Sequence, residues 1–206
     1  MILTVEVFGV IDENAHFFID DETRHGFLID PGAQADKLLT IINERGWTIE
    51  KILLTHGHFD HIGAANDIQR ALKIPVCMSK GGNYYAKDPA INCSAFVCEP
   101  IILDDVTCLD DDTEISLAVN PNFKVKLIPA KGHTSDGAIY YSKKNSVAFV
   151  GDTIFRGSYG RTDLPGGSHV DLMATIKNVV LTLPDETILY TGHGLPTTVV
   201  DEKAWY

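Results

Sequence analysis

The sequence lacks the marks of several large protein classes. No apolar stretch approaches the roughly 20 residues that span a bilayer. The segment Met1–Phe8 has no basic start and is interrupted by Glu6, so no secretory leader is expected and the chain is assigned to the cytoplasm. Runs of Lys or Arg are missing too: 17 basic side chains stand against 28 acidic ones, a net charge of −11. That charge repels phosphate, so neither nucleic acid nor an anionic membrane is an expected partner. Only four cysteines occur (Cys77, Cys93, Cys98 and Cys108), with no Cys-x-x-Cys pair. Reduced structural thiols are expected rather than disulfides or a thiolate metal site. There is no Gly-x-Ser-x-Gly elbow, no phosphate-cradling glycine loop and no Gly-x-Gly-x-x-Gly turn. Serine-hydrolase, nucleotide-hydrolysing and dinucleotide-binding chemistries therefore have no support. Internal repeats, linkers and low-complexity segments are also missing.

What is present fits one domain over residues 1–206, with 45% apolar and 22% charged residues and length enough for a core without staples. Strands are expected over 4–8, 15–19 and 26–30, the last stopped by Pro31-Gly32. Ala35, Leu38, Leu39 and Ile42 recur at helical spacing before Gly46, and Ile62, Ala65, Ile68 and Leu72 mark a second helix after a strand over 51–54. A strand over 75–78 follows, then a surface excursion over 80–112 whose acidic cluster lacks calcium-loop spacing and is expected to be a solvated turn. Strands return over 123–128, 138–141 and 146–150, with a turn at Lys143-Lys144-Asn145. Residues 157–167 read as a loop, Ser168 as the cap of a helix, and 187–190 as a last strand. Strands in two batches, each with helices, predict an α/β protein of two packed sheets with helices outside.

The informative stretch is Thr55-His56-Gly57-His58-Phe59-Asp60-His61, between a buried strand and a helix start. In an extended loop His56, His58 and Asp60 point the same way, because the side-chain period is two. Gly57 is expected to let the backbone bend tightly around an ion. Neutral imidazole and carboxylate are ligands for zinc or iron. Three further strand ends each carry one ligand-type residue beside a glycine: Gly132-His133, Gly151-Asp152 and Gly192-His193. Together they supply five histidines and two aspartates, enough for two ions sharing a carboxylate. His16, His25 and His169 are read as structural or surface residues.

In order and type these motifs resemble those of metallo-β-lactamase-fold hydrolases, specifically the short, single-domain glyoxalase II-like group. The resemblance covers nearly the whole chain, from Ile29-Asp30-Pro31-Gly32 to Gly192-His193-Gly194. It implies a four-layer αββα sandwich with two mixed sheets. It further implies two divalent ions, zinc first, with iron or a mixed zinc–iron pair as alternatives. His56, His58 and His133 would hold one ion, Asp60, His61 and His193 the other, with Asp152 bridging and Asp30 supporting the loops from behind without touching an ion. The implied activity is hydrolysis of a small-molecule thioester by a metal-bound hydroxide that Asp60 orients.

The loop over 156–167 resembles the Gly-Arg-Thr-Asp segment of the same group and of persulfide dioxygenases. Arg161 is a candidate to bind a substrate carboxylate, or else pairs with Asp163 to tie down the loop. Lys131 and Asp136 depart from the group's pattern and are expected to put charge at the rim. Two-domain glyoxalase II enzymes continue into a helical region beyond the last histidine; this sequence does not, so 2-hydroxyacyl thioesters are expected without firm glutathione recognition. The rival enzyme is a one-iron persulfide dioxygenase using His56, His133 and Asp152. A non-catalytic metal- or thiol-binding protein ranks last, since seven candidate ligands exceed the four of a structural ion.

Overall fold

The computed structural model describes residues 1–206. Two six-stranded sheets form the centre. The first contains β1 (Ile2–Val7), β2 (Glu13–Ile19), β3 (His25–Ile29), β4 (Thr48–Leu53), β5 (Val76–Ser79) and β6 (Val106–Leu109), in that spatial order. Its first two pairings are antiparallel and the remaining three parallel. The second contains β7 (Glu114–Ser116), β8 (Lys124–Pro129), β9 (Ala138–Ser142), β10 (Val147–Gly151), β13 (Ile188–Thr191) and β14 (Thr197–Thr198). Only β10 and β13 run parallel in it. A small hairpin of β11 (Ile154–Phe155) and β12 (Ser158–Tyr159) stands apart.

Period-two alternation splits the buried residues between layers. Along β2, Phe17 faces one apolar cluster and Phe18 another; along β3 and β4 the same division separates Leu28 from Phe27 and Ile52 from Leu53. The middle cluster lies between the sheets, where Phe18 and Phe123 approach to 4.3 Å between ring centroids. The outer face of the first sheet packs on Leu38 and Ile42 of α1 (Ala35–Arg45) and Ile68 of α3 (Ala65–Leu72). The outer face of the second packs on Leu172 and Ile176 of α5 (His169–Asn178). Three apolar layers require four layers of elements, so the αββα expectation is met. Ser168 caps α5 as expected, its hydroxyl accepting from the Asp171 amide.

Two expectations need correction. The second helix is broken into α2 (Phe59–Ile62) and α3. The Ala64 amide donates to the Pro31 carbonyl, and a Cβ on Gly63 would lie 2.3 Å from the Gly32 carbonyl oxygen. Docking on the 30–32 turn pulls the chain out of helical register. Residues 80–112 are more than an excursion: α4 (Gly82–Lys87) buries Tyr85 and Ala86, and β6 extends the first sheet. Apolar content there is too thin for a strand to show by alternation. Asp110 and Asp112 do form a solvated turn, paired with Lys80 and Lys126. The four cysteines are free. No helix is long and apolar enough to cross a membrane.

Candidate metal centre

Asp30, Thr55 to His61, Asp152 and His193 all lie just past the carboxyl ends of the parallel strands β3, β4, β10 and β13. Such strand ends face a common crevice. His133 joins them from the loop after β8. The ligand-type atoms fall into overlapping groups: His56, His58 and His133; His56, His61 and Asp152; Asp60, His61 and His193. Within each group they lie within 4.8 Å of one another. All seven residues singled out in the sequence therefore meet in space.

Asp30 organises the loop. Its Oδ1 accepts from the Thr55 amide at 2.7 Å and its Oδ2 from the Thr55 hydroxyl at 2.6 Å. The same Oδ2 faces His61 Nδ1 at 3.1 Å. Asp30 sits at φ 49°, a left-handed conformation that aspartate tolerates better than most residues. Gly57 serves a different purpose from the expected bend. Its φ is not positive; a Cβ there would lie 2.3 Å from Cβ of Tyr85, so glycine is needed for clearance against α4. Gly192 is likewise a matter of space, since its Cβ would lie 2.4 Å from Asp152 Oδ1 and 2.5 Å from the His61 ring.

Outward hydrogen bonds fix the imidazole tautomers. His133 Nδ1 faces the Arg161 carbonyl at 2.7 Å, and His193 Nδ1 faces the Asp12 carbonyl at 2.7 Å. A carbonyl only accepts, so each Nδ1 carries a proton. The Thr55 hydroxyl gives its proton to Asp30 and accepts from His56 Nδ1 at 3.1 Å. In neutral rings, His56 and His133 thus present bare Nε2 lone pairs to His58 Nδ1, at 3.2 and 2.9 Å. One proton on His58 satisfies only one of them. Nitrogens around a tetrahedral ion at 2.0–2.1 Å would stand about 3.3 Å apart, close to these separations. Asp152 touches both trios: Oδ1 is 3.3 Å from His61 Nε2, and Oδ2 is 3.4 Å from His193 Nε2 and 3.6 Å from His133 Nε2. Asp60 Oδ2 is 3.4 Å from His193 Nε2. His61 Nε2 and Asp152 Oδ1 are buried without a hydrogen-bond partner. A cation between the facing lone pairs satisfies all of these atoms, so the donor set fits divalent metal.

Burial pushes the His58 imidazole down to about 3, and holds His56 and His133 below the ordinary histidine range as well. Burial also opposes charge on His193, yet hydrogen bonds to Asp152 and Asp60 lift it to about 10. His61 is raised in the same way, against burial, by Asp152 and Asp30. Burial disfavours the charged carboxylate of Asp152, but His61 and His193 hold it well below the usual range. Without an ion, one trio stays neutral and the other gathers protons where a cation would sit.

Some contributors were not visible in the sequence. Glu13 is buried at the start of β2, 3.8 Å from His61 Nδ1, with both carboxylate oxygens unpartnered. Its pKa is raised by burial. The neighbouring Asp12 acts through its carbonyl, on His193. The only available signal was a charged residue opening a strand that is buried throughout. Asp136 is not at the rim: it is buried behind Gly57, and burial raises its carboxyl to about 7. Arg161 lines the cleft, but its Nε and a terminal nitrogen both bind Asp163 at 2.7 Å, and its carbonyl orients His133. His16 is buried structurally against Phe149 and Tyr190, with Nε2 on the Thr191 carbonyl; His25 pairs with Glu50. A cleft of about 450 Å³ opens beside the cluster and exposes His58, Asp60, His133, Asp152 and His193 to it.

The chain belongs to the metallo-beta-lactamase superfamily, whose model matches residues 13–193. It is 34% identical to a probable metallo-hydrolase, YqgX, of Bacillus subtilis, over 95% of this chain and 91% of that protein. It is 31% identical to the hydroxyacylglutathione hydrolase GloC of Haemophilus influenzae, over 98% and 95%. Among solved structures, the BLEG-1 B3 metallo-beta-lactamase superposes with a TM-score of 0.92 at 34% identity, covering 99% of this chain and 97% of that one. TTHA1623, solved in a di-iron-bound form, gives 0.80 at 31% identity, covering 98% and 96%.

Proposed function

We propose that this chain is a dinuclear metal-dependent hydrolase of thioesters, with 2-hydroxyacyl thioesters as its substrates. His56, His58 and His133 would hold one ion, and Asp60, His61 and His193 the other, with Asp152 shared. Zinc suits the all-imidazole trio, and the carboxylate-containing trio also suits iron. The di-iron form of TTHA1623 supports two ions, and the name of GloC supports the thioester class. When bound, such ions act as Lewis acids and lower the pKa of a shared water to about 7.

The chain's own residues then have defined tasks. Asp60 faces the cleft, where its carboxylate would accept a hydrogen bond from the attacking water and so orient it. Asp30, the Asp12 carbonyl and the Arg161 carbonyl hold His61, His193 and His133 with their lone pairs inward. One observation favours a thioester over an amide. The N–H groups of His56, His61, His133 and His193 are committed to outward acceptors, so only His58 Nε2, itself buried, is left to protonate a departing nitrogen. A thiolate, with a free pKa near 8.5, leaves without such help.

The test is elemental analysis of protein loaded with zinc or iron, with turnover of a thioester panel, a β-lactam panel, and glutathione persulfide under oxygen. Two equivalents of metal and thioester cleavage support the proposal. One iron with oxygen uptake on persulfide would replace it by the dioxygenase reading. Cleavage of β-lactams alone would replace it by a lactamase. Metal binding with no turnover would leave a binding protein.

A further inference from the structure

The cleft beside the cluster is apolar on nearly every other wall. Val10 and Ile11 approach from the loop between β1 and β2, Phe96 and Val97 from the segment after α4, Phe155 from β11, and Leu164 from the loop before α5. Four of these are strongly solvent-exposed: Val10 at 60%, Ile11 at 48%, Phe96 at 71% and Val97 at 48%. Large apolar side chains from two separate loops, gathered around one opening, mark a binding surface. Charge is nearly missing from it. Outside the cluster of His and Asp side chains, the one ionised side chain on the wall is Arg161, whose guanidinium fork is occupied by Asp163.

Glutathione carries two carboxylates and an ammonium group. Binding it here would desolvate those charges against aliphatic and aromatic carbon, or require Arg161 to give up Asp163. An uncharged apolar substituent meets neither cost and removes exposed carbon from water on both sides. We infer that the preferred substrates are uncharged thioesters bearing an aliphatic or aromatic substituent, which the Ile11, Phe96 and Phe155 wall receives. This rests on the thioester reading above and narrows it.

The experiment compares kcat/KM of the metal-loaded protein for a matched set of 2-hydroxypropanoyl thioesters. The parent is the N-acetylcysteamine ester. Against it stand the glutathione ester, an ester with a phenyl group added on the acyl side, and one with a phenyl group added on the thiol side. At least one phenyl ester should exceed the parent by about tenfold or more, and the glutathione ester should gain nothing over the parent. Ile11→Ser with Phe96→Ser, at two exposed positions, should reduce the phenyl advantage to less than about threefold while the melting temperature holds. A glutathione ester favoured about tenfold over the parent, or phenyl esters no better than it, overturns the inference.

Calorimetry with non-hydrolysable thioethers decides the matter independently of turnover. If no thioester is cleaved, the thioester reading falls. The cleft inference still stands if the phenyl thioether of N-acetylcysteamine binds about tenfold tighter than its methyl counterpart, and falls if the two bind alike.

Discussion

His56, His58 and His133 face a hydroxyl, a backbone carbonyl, one another and a single carboxylate edge, Asp152, whereas Asp60, His61 and His193 are surrounded by carboxylates: Asp60 itself, Asp152, Asp30 and, behind His61, Glu13. Burial is severe for most of both sets, yet its result differs. In the first set the pull of Asp152 and Asp60 is outweighed by desolvation and by the neighbouring imidazoles, so the rings stay neutral and His58 is pushed down to about 3. In the second the negative neighbours win, and His193 keeps its proton to about 10. A few ångströms separate a position that offers only lone pairs from one that already draws positive charge. On the proposed ligand set, an ion entering the second position therefore replaces protons, and an ion entering the first does not.

The largest effect should come from cutting the link between the two. Asp152→Asn removes a charge from the shared carboxylate and should lower kcat/KM on the order of 10³-fold. Retention of a tenth of the wild-type rate would show that the trios work separately. Next, His61→Ala or His193→Ala should lose one metal equivalent by elemental analysis, with the circular dichroism of the fold kept. Loss of both equivalents would mean that the positions load as one. Asp30→Asn acts from behind the second trio and on Thr55, and should weaken metal binding about 10–100-fold in chelator competition. Glu13→Gln, 3.8 Å from His61 Nδ1 and with no hydrogen bond of its own, should have the smaller effect of the two.

The pH dependence of the chelator-treated protein probes the contrast directly. Depressed pKa values in His56, His58 and His133 mean that the unfolded chain binds more protons below about 6.5. Their contribution to stability is present above that pH and is lost on acidification toward about 3. Asp136, raised to about 7, and Glu13, also raised by burial, work in the opposite direction, but as two groups against four once the buried His16, lowered to about 4, is added to the three histidines. The raised His193 contributes stability fully below about 6.5, and loses it as pH climbs through about 10. Melting temperature against pH should show both limbs, and His193→Asn should flatten the alkaline one, which the raised His61 shares, more than the acid one, where Asp152 and Asp60 each lose a partner that holds them down. The smallest effect is expected at Arg161. Its pair with Asp163 is exposed, where solvent screening leaves an ion pair little net stabilisation. Arg161→Ala keeps the carbonyl that holds His133, so metal content should be unchanged and KM should shift less than about threefold.

The histidine-rich loop and the three glycine-flanked strand ends were legible because each ligand type sits where hydrophobic alternation stops. The layered fold was legible because Phe17 and Phe18, or Leu28 and Ile29, have no polar face between them and so demand cover on both sides. What stayed hidden acts across long sequence distance or through the backbone. Glu13 meets His61 only once β2 and α2 are docked, and the Asp12 and Arg161 carbonyls have no side-chain signature. Gly57 reads from sequence as the point of a tight bend because its clearance against Tyr85 depends on where α4 lies. Asp136, next to the His133 motif, looked like a rim charge because sequence alone does not tell which side of a loop is buried.

His56, His58, Asp60 and His61 come from the half of the chain that builds the first sheet, and His133, Asp152 and His193 from the half that builds the second. With the proposed ligand set, neither half closes a site alone. During synthesis the all-imidazole position gains its third ligand when residue 133 emerges, and the acidic position only when residue 193 does. His133 also takes its orientation from the Arg161 carbonyl and its place from the sheet that β9, β10 and β13 complete, so both positions close only after nearly the whole chain has been made.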